Sequence, residues 1–291
     1  MDPRESGRLA RSLEPLHAFV YFAPEAEERC VAAGLKPGRM TYFAARSAPM
    51  GAVGAGPVAA TFYNFSPTLV AKHIPTAWGL ASPDAVHAAR NAAADAALRR
   101  MLGDDVVASA AVAEAADLAE RAARAATFDG RALAAAWGDA AWPDAAHLRL
   151  WHALAILREH RGDGHVALLV AAGLSGIEAI VSYTATGRGF VQPFAMASRG
   201  WSQAEWDATV AALADRGLLD GSGALTDGGL ALRKRVEDET NRLGHAPWAA
   251  LGDAGAARLA ELGGGLVRAL VAAGCFPDGV FAATPRAEPG R

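Results

Sequence analysis

Long alanine-rich stretches, with charges at helical spacing and no proline inside them, constrain this chain more than any other feature. AVHAARNAAADAALRRML (85–102) and AAVAEAADLAERAARAA (110–126) are the clearest cases. Alanine loses least on entering a helix, so both segments predict helices. Ser82-Pro83-Asp84 supplies an N-cap followed by proline at the first helical position, and Gly103-Asp104 marks the end. The same logic predicts helices over LRLWHALAILREHRG (148–162), GHVALLVAAG (164–173), SGIEAIVSYTATG (175–187) and WSQAEWDATVAALADRG (201–217), each closing at a glycine. The expected fold is mainly α.

With 291 residues, 52% of them hydrophobic, the chain can bury a substantial core in one large domain or two ordinary ones. A net charge of −3 gives no general pull toward nucleic acid or anionic lipid. The start, MDPRESGRLARSLEPLHAF, lacks the apolar run of a secretory signal, and no stretch reaches membrane-spanning length free of charge. Cys30 and Cys275 stand alone, which indicates neither a disulfide framework nor a zinc site. The expected compartment is the cytoplasm, with no membrane partner.

An internal similarity bears on architecture. His17-Ala18-Phe19 followed by CVAAGLKPGRMTYFAARS (30–47) lines up with His152-Ala153-Leu154 followed by LVAAGLSGIEAIVSYTAT (169–186). One reading is duplication: an N-terminal helical half over 1–142, a C-terminal half over 143–280, and a tail over 281–291. The other is that alanine-rich helices resemble one another by composition alone.

Residues 190–235 carry a helix at FVQPFAMASRG, a turn, the helix SQAEWDATVAALADRG, then LLD, GSG and ALTDGG before GLALRKRVEDETNRL. This segment resembles the winged-helix domain of the MarR family, with two short strands around Gly221-Ser222-Gly223 as the wing. The whole chain is similar to winged-helix-like proteins of actinobacteria, a resemblance that implies a small β-wing on a helical, duplicated fold and no particular reaction. In a DNA-binding member, the recognition helix meets base edges and the wing brings Arg or Lys to phosphate. Here those places hold Gln203, Glu205 and Asp207, with Asp220 and Asp227 flanking the wing tip. Gln203 and Thr209 remain for base contacts, and Arg199 and Arg216 for phosphates, a thin footprint that makes DNA a doubtful partner. Arg233-Lys234-Arg235 lies among Glu237, Asp238 and Glu239, where a solvated helix with i,i+4 pairs explains it.

Two stretches supply candidate site residues. REHRGDGH (158–165) reads as a break between two apolar helices. There His160, Arg161, Asp163 and His165 would hold a carboxylate or phosphate, or run acid–base chemistry with an Asp-held histidine. The alternative is a plain connection in which Gly162 ends one helix and Asp163 caps the next. The second stretch, residues 38–78, places Arg39, Tyr42 and Arg46 on one helical face and continues through GAVGAGP to Tyr63, Asn64, Lys72 and His73. Arg39, Arg46 and His73 beside Tyr42, Phe62, Tyr63 and Phe65 would suit a planar anionic organic ligand. Equally, the aromatics would fill a core while the arginines snorkel outward. The glycine loop lacks GxxxxGK[ST], which argues against nucleotide binding.

His17 and His152 each head an apolar stretch and read as hydrogen-bonded core residues; as haem ligands they would need an open distal side. No Ser-His-Asp, GxSxG or reactive-cysteine context appears, so covalent hydrolysis is disfavoured. No metal or cofactor is assigned. The expected function is binding of a small organic, anionic or aromatic ligand between the halves. A ligand-responsive MarR-like regulator, or an enzyme using His160 or His165 with Asp163, are the alternatives.

Overall fold

In a computed structural model, described over residues 1–282, one 26-residue helix, Ala146–Ala171, runs through the middle of the molecule. Its segment from Leu150 to Leu157 is buried on every side, which places it in the interior rather than at a surface. The alanine-rich helix Ala110–Arg124 packs along it, and the alanines at 115, 116, 119, 122 and 123 are all buried. Small side chains at these positions let the two helices approach closely. Pro83–Leu102 forms as the sequence predicts, with Ser82 Oγ accepting from the Ala85 N–H.

The expected break at REHRGDGH does not occur, because the helix continues through Gly162 and Gly164. The cause is a neighbouring helix, Ala132–Asp139, whose first turn abuts this stretch. Asp163 accepts from the N–H groups of Leu133 (3.0 Å) and Ala134 (2.9 Å), satisfying donors that helix would otherwise leave open. Asp163 thus caps a different helix from the one the sequence suggests. A Cβ at position 164 would lie 2.5 Å from Arg131 Nη1, so glycine here permits close approach instead of ending the helix. Arg131 reaches across to the carbonyls of His160 and Leu243.

Buried apolar side chains form two cores that do not follow chain order. The larger joins residues from Leu9 to Leu157 with Trp248, Leu259 and Leu270, so the C-terminal helix Gly252–Ala272 packs against N-terminal elements. A boundary at 142/143 therefore falls inside this core. The smaller contains Leu169, Ile180, Ala195, Trp206, Leu213, Leu219 and Val236 and belongs to a helix-turn-helix unit. In that unit Gln192–Arg199 ends at Gly200, which has left-handed φ of 74°, and Gln203–Asp215 follows behind a Ser202/Glu205 capping box. Phe281, first residue of the expected tail, pairs with Phe190 in an isolated antiparallel bridge, and residues 283–291 of that tail lie outside the described residues.

The expected β-wing is reduced to a turn. Among the described residues no strand forms, and a single bridge joins Leu219 to Leu225. Asp220 Oδ1 accepts from the N–H groups of Ser222 (2.8 Å) and Ala224 (3.0 Å), folding the loop on itself. Thr226 immediately caps the next helix, Asp227–Leu243, leaving no length for a ladder.

The internal similarity reduces to a helix ending that the chain uses repeatedly. Gly34, Gly173, Gly217 and Gly274 all have positive φ. At each, the next residue's N–H reaches back five positions: Leu35 to Cys30, Leu174 to Leu169, Leu218 to Leu213 and Cys275 to Leu270. His17 lies in the short helix Pro15–Ala18 and His152 in the middle of the long one, so the two do not occupy matching places. The shared spelling follows from cap chemistry and does not establish duplication.

A short segment fastens the two cores together. Tyr63, at the end of helix Ala55–Phe62 with a positive φ of 46°, donates its hydroxyl to the Leu174 carbonyl. Trp201 Nε1 donates to Asn64 O (2.9 Å), and the Ser66 N–H to Arg199 O (2.8 Å). A Cβ at position 176 would sit 2.0 Å from Tyr63 O, a backbone atom with nowhere to move. Gly176→Ala is expected to destabilise the fold by about 1–3 kcal/mol through overpacking, read as a lower urea midpoint.

Candidate ligand pocket

Where the two cores meet, a cavity of about 410 Å³ opens between the helix-turn-helix unit and the larger core. Its wall draws on the first two helices, on Arg39–Ser47, on the fastening segment, on the central helix, and on Gly176–Thr184 and Asp227–Leu243. Of the residues singled out in the sequence, Tyr42, Arg46, Tyr63, Asn64, Arg161, Asp163 and His165 all line it. Arg39, His73 and His160 do not: His73 stacks on Phe43, and His160 is buried on another face of the central helix.

The strongest element of the wall is a buried ion pair. Arg46, 9% exposed, meets Glu159, 1% exposed, through two parallel bonds of 2.8 and 2.6 Å, and its guanidinium lies 4.2 Å from the Phe62 ring centre. Arg158 bonds the same carboxylate (3.0 Å) and also Glu14 (2.8 Å). Burial alone would raise the Glu159 carboxyl, but Arg46 and Arg158 bring it down to about 2. Tyr42 shows the same balance: burial raises its phenol, while Arg46, Arg199 and Arg158 hold it below its ordinary value. Arg11 and Arg161 share Glu237, at 2.6 and 2.8 Å.

Two pocket arginines have no carboxylate within ion-pair distance among the described residues. Arg199 donates to Ser198 Oγ (2.9 Å) and otherwise lies over Phe65 and Phe190, at 4.5 and 5.1 Å from their ring centres. Burial lowers it to about 10, so it keeps its charge at neutral pH. Arg233 lies 5.3 Å from the Tyr183 ring centre, and its Nη1 is buried without a hydrogen-bond partner. Sequence reading placed Arg199 on DNA phosphate and Arg233 on a solvated face. Lys234 and Arg235 of the basic triplet fit that picture, both exposed, with Lys234 pairing with Asp238. Arg158 and Glu159 went unassigned, since nothing in REHRGDGH distinguishes the carboxylate that will be buried.

The histidines act differently from expectation. Asp163 spends its hydrogen bonds on Leu133 and Ala134, so it orients neither His160 nor His165. His165, lowered to about 3 by burial and by Arg233 and Arg161, is neutral; Thr240 Oγ1 already donates to Val236 O, so the His165 Nδ1–H donates to it (2.8 Å). His17 and His152 are buried as expected, but neither has a hydrogen-bond partner at either ring nitrogen. His17 lies in the pocket wall, stacked on Trp151 at 5.8 Å. No group of three or more metal-ligating side chains occurs among the described residues.

Polar side chains on the outer face of Gln203–Asp215 are largely paired with one another. Gln203 donates to Asp207 (2.7 Å), Glu205 is held in the capping box, and Arg216 pairs with Glu178. Thr209 is buried and bonds the Glu205 carbonyl (2.7 Å), so it is no base-reading residue. No single helix is long and apolar enough to cross a membrane; the central helix and Gly176–Thr184 pass by composition only as a pair bent by 101°.

Two stability effects follow from these charges. Glu159→Gln leaves the buried Arg46 guanidinium without its counter-charge and should cost about 3–5 kcal/mol at neutral pH by chemical unfolding. Because the folded carboxyl titrates near 2, below its unfolded value of 4.5, that advantage is complete above 4.5 and disappears as pH falls toward 2. His152 and His160, lowered to about 4, and His165, to about 3, are bases held below their ordinary 6.5. Their contribution is full above 6.5 and declines as the pH drops, since the unfolded chain takes up the protons first. Unfolding midpoints measured from pH 7.5 to 4.5 should decrease steadily, and His152→Phe should flatten the slope.

Comparison with curated proteins and with solved structures gives no match. Residues 6–277, nearly the entire chain, match the model of a helix-turn-helix family, and the chain belongs to that family.

Proposed function

We propose that this protein binds a small organic anion in the cavity between its two cores, and that its helix-turn-helix, of winged-helix and MarR-like ancestry, no longer serves DNA. The observation that carries this reading is the direction of two arginines. Arg199 and Arg233 belong to the helix-turn-helix unit, yet both line the cavity and neither has a carboxylate partner among the described residues. Buried cations without counter-charge are costly, and an incoming carboxylate offsets that cost while matching the guanidinium fork. Tyr42, Phe62, Phe65 and Tyr183 supply apolar and aromatic surface for the body of such a ligand. The free cysteines fit a cytoplasmic setting, which belongs to the same reading.

A ligand-responsive DNA regulator is the second reading, and the retained pair of helices Gln192–Arg199 and Gln203–Asp215 favours it. Acidic groups on the exposed side of the second helix count against it. Acid–base catalysis by His160 or His165 has less support, since Asp163 is committed elsewhere.

Titration with benzoate and 2-naphthoate, followed by tryptophan fluorescence and thermal unfolding, tests the proposal; Trp248 lies in the pocket wall. Saturable quenching and an upward shift of about 2 °C or more at high occupancy are expected. Absence of binding by every aromatic acid tried, together with a salt-sensitive mobility shift of duplex DNA, would replace it with the regulator.

A further inference from the structure

The surplus charge in the pocket is divided between two places, and the division specifies the ligand. Around Glu159 the charges are matched, because Arg46 and Arg158 are balanced by Glu159 and Glu14. Arg199 remains over, on the side of Phe65 and Phe190, where it acts on the Tyr42 phenol. Arg233 remains over on the side of Tyr183, where it acts on His165. Beside it, Arg11 and Arg161 have only Glu237 between them, so this side is also short of negative charge. Each surplus cation rests on aromatic rings and has a buried nitrogen without a partner, Nε in Arg199 and Nη1 in Arg233. The same wall also carries apolar side chains, Leu154, Val166, Leu169, Ala179 and Ile180.

Building on the anion-binding reading, we propose that the ligand is a dicarboxylate with an apolar, ring-sized body, one carboxylate paired with Arg199 and the other with Arg233. A single carboxylate neutralises one arginine and leaves the second buried and uncompensated. A diacid neutralises both, and its body covers the apolar side chains of the wall. His17, in the same wall with both ring nitrogens unpartnered, is positioned to donate to or accept from a polar substituent on the body.

The test is calorimetric titration of the full chain with matched pairs: terephthalate against benzoate, and naphthalene-2,6-dicarboxylate against 2-naphthoate. Each diacid should bind about tenfold tighter than its monoacid, the effect of one further charge-assisted contact. Arg199→Gln and Arg233→Gln should each remove that advantage, bringing diacid and monoacid to similar affinity, with near-unchanged thermal unfolding of the empty protein certifying the fold. Equal affinity within both pairs, or a diacid advantage that survives Arg233→Gln, overturns the two-ended assignment while leaving single-anion binding intact. Failure of all four acids to bind removes the anion reading itself.

Discussion

Glu159 is the charge on which the pocket depends. It is carried by the central helix, it is almost completely withdrawn from water, and it accepts from Arg46 on one helix and Arg158 on its own. A carboxylate so placed is tolerable only because two guanidiniums surround it, and those guanidiniums are tolerable only because of it. Buried charge of this kind adds little net stability over a packed apolar core. What it does supply is a fixed position: Arg46 is locked by a two-bond fork against Phe62, and Tyr42 is placed within 3.4 Å of Arg46 Nη1. The rest of the cavity wall is arranged around that fixed point.

The charges of the helix-turn-helix unit are divided unevenly between its two faces. Exposed positions of the second helix carry Gln203, Glu205 and Asp207, and its C-terminal Arg216 is taken by Glu178. Arg199, at the end of the first helix, faces inward onto two phenylalanines. A fold suited to a polyanion on its outer face thus presents positive charge on its inner one, and fold alone did not decide which.

Sequence made the helices legible because their signals are local. Ser82-Pro83, Ser175 with Glu178, and Ser202 with Glu205 each announce a helix start, and each forms one. It failed at REHRGDGH because two glycines look like an ending when read along the chain, whereas Gly164 answers to Arg131 across the chain and Asp163 to the first turn of Ala132–Asp139. The likeness around VAAGL does not by itself establish duplication, since a local cap repeats wherever a helix needs the same ending. Tyr42, Arg46, Phe62, Tyr63 and Phe65 of the pocket wall were legible as a density of arginine and aromatic side chains in a chain otherwise rich in alanine. Arg199 was missed because the helix-turn-helix resemblance turned it toward phosphate, and Arg233 because sequence pairs a cation with the nearest acid along the helix, whereas Glu237 is claimed by Arg11 and Arg161.

That continuous central helix has a mechanical meaning as well. Over 26 residues it extends about 39 Å, and it contributes Leu150 to one core and Leu169 to the other. The two bodies are therefore separated by a strut and not by a hinge. Their spacing is a gauge set by helical rise, and it fixes the span of the pocket between them.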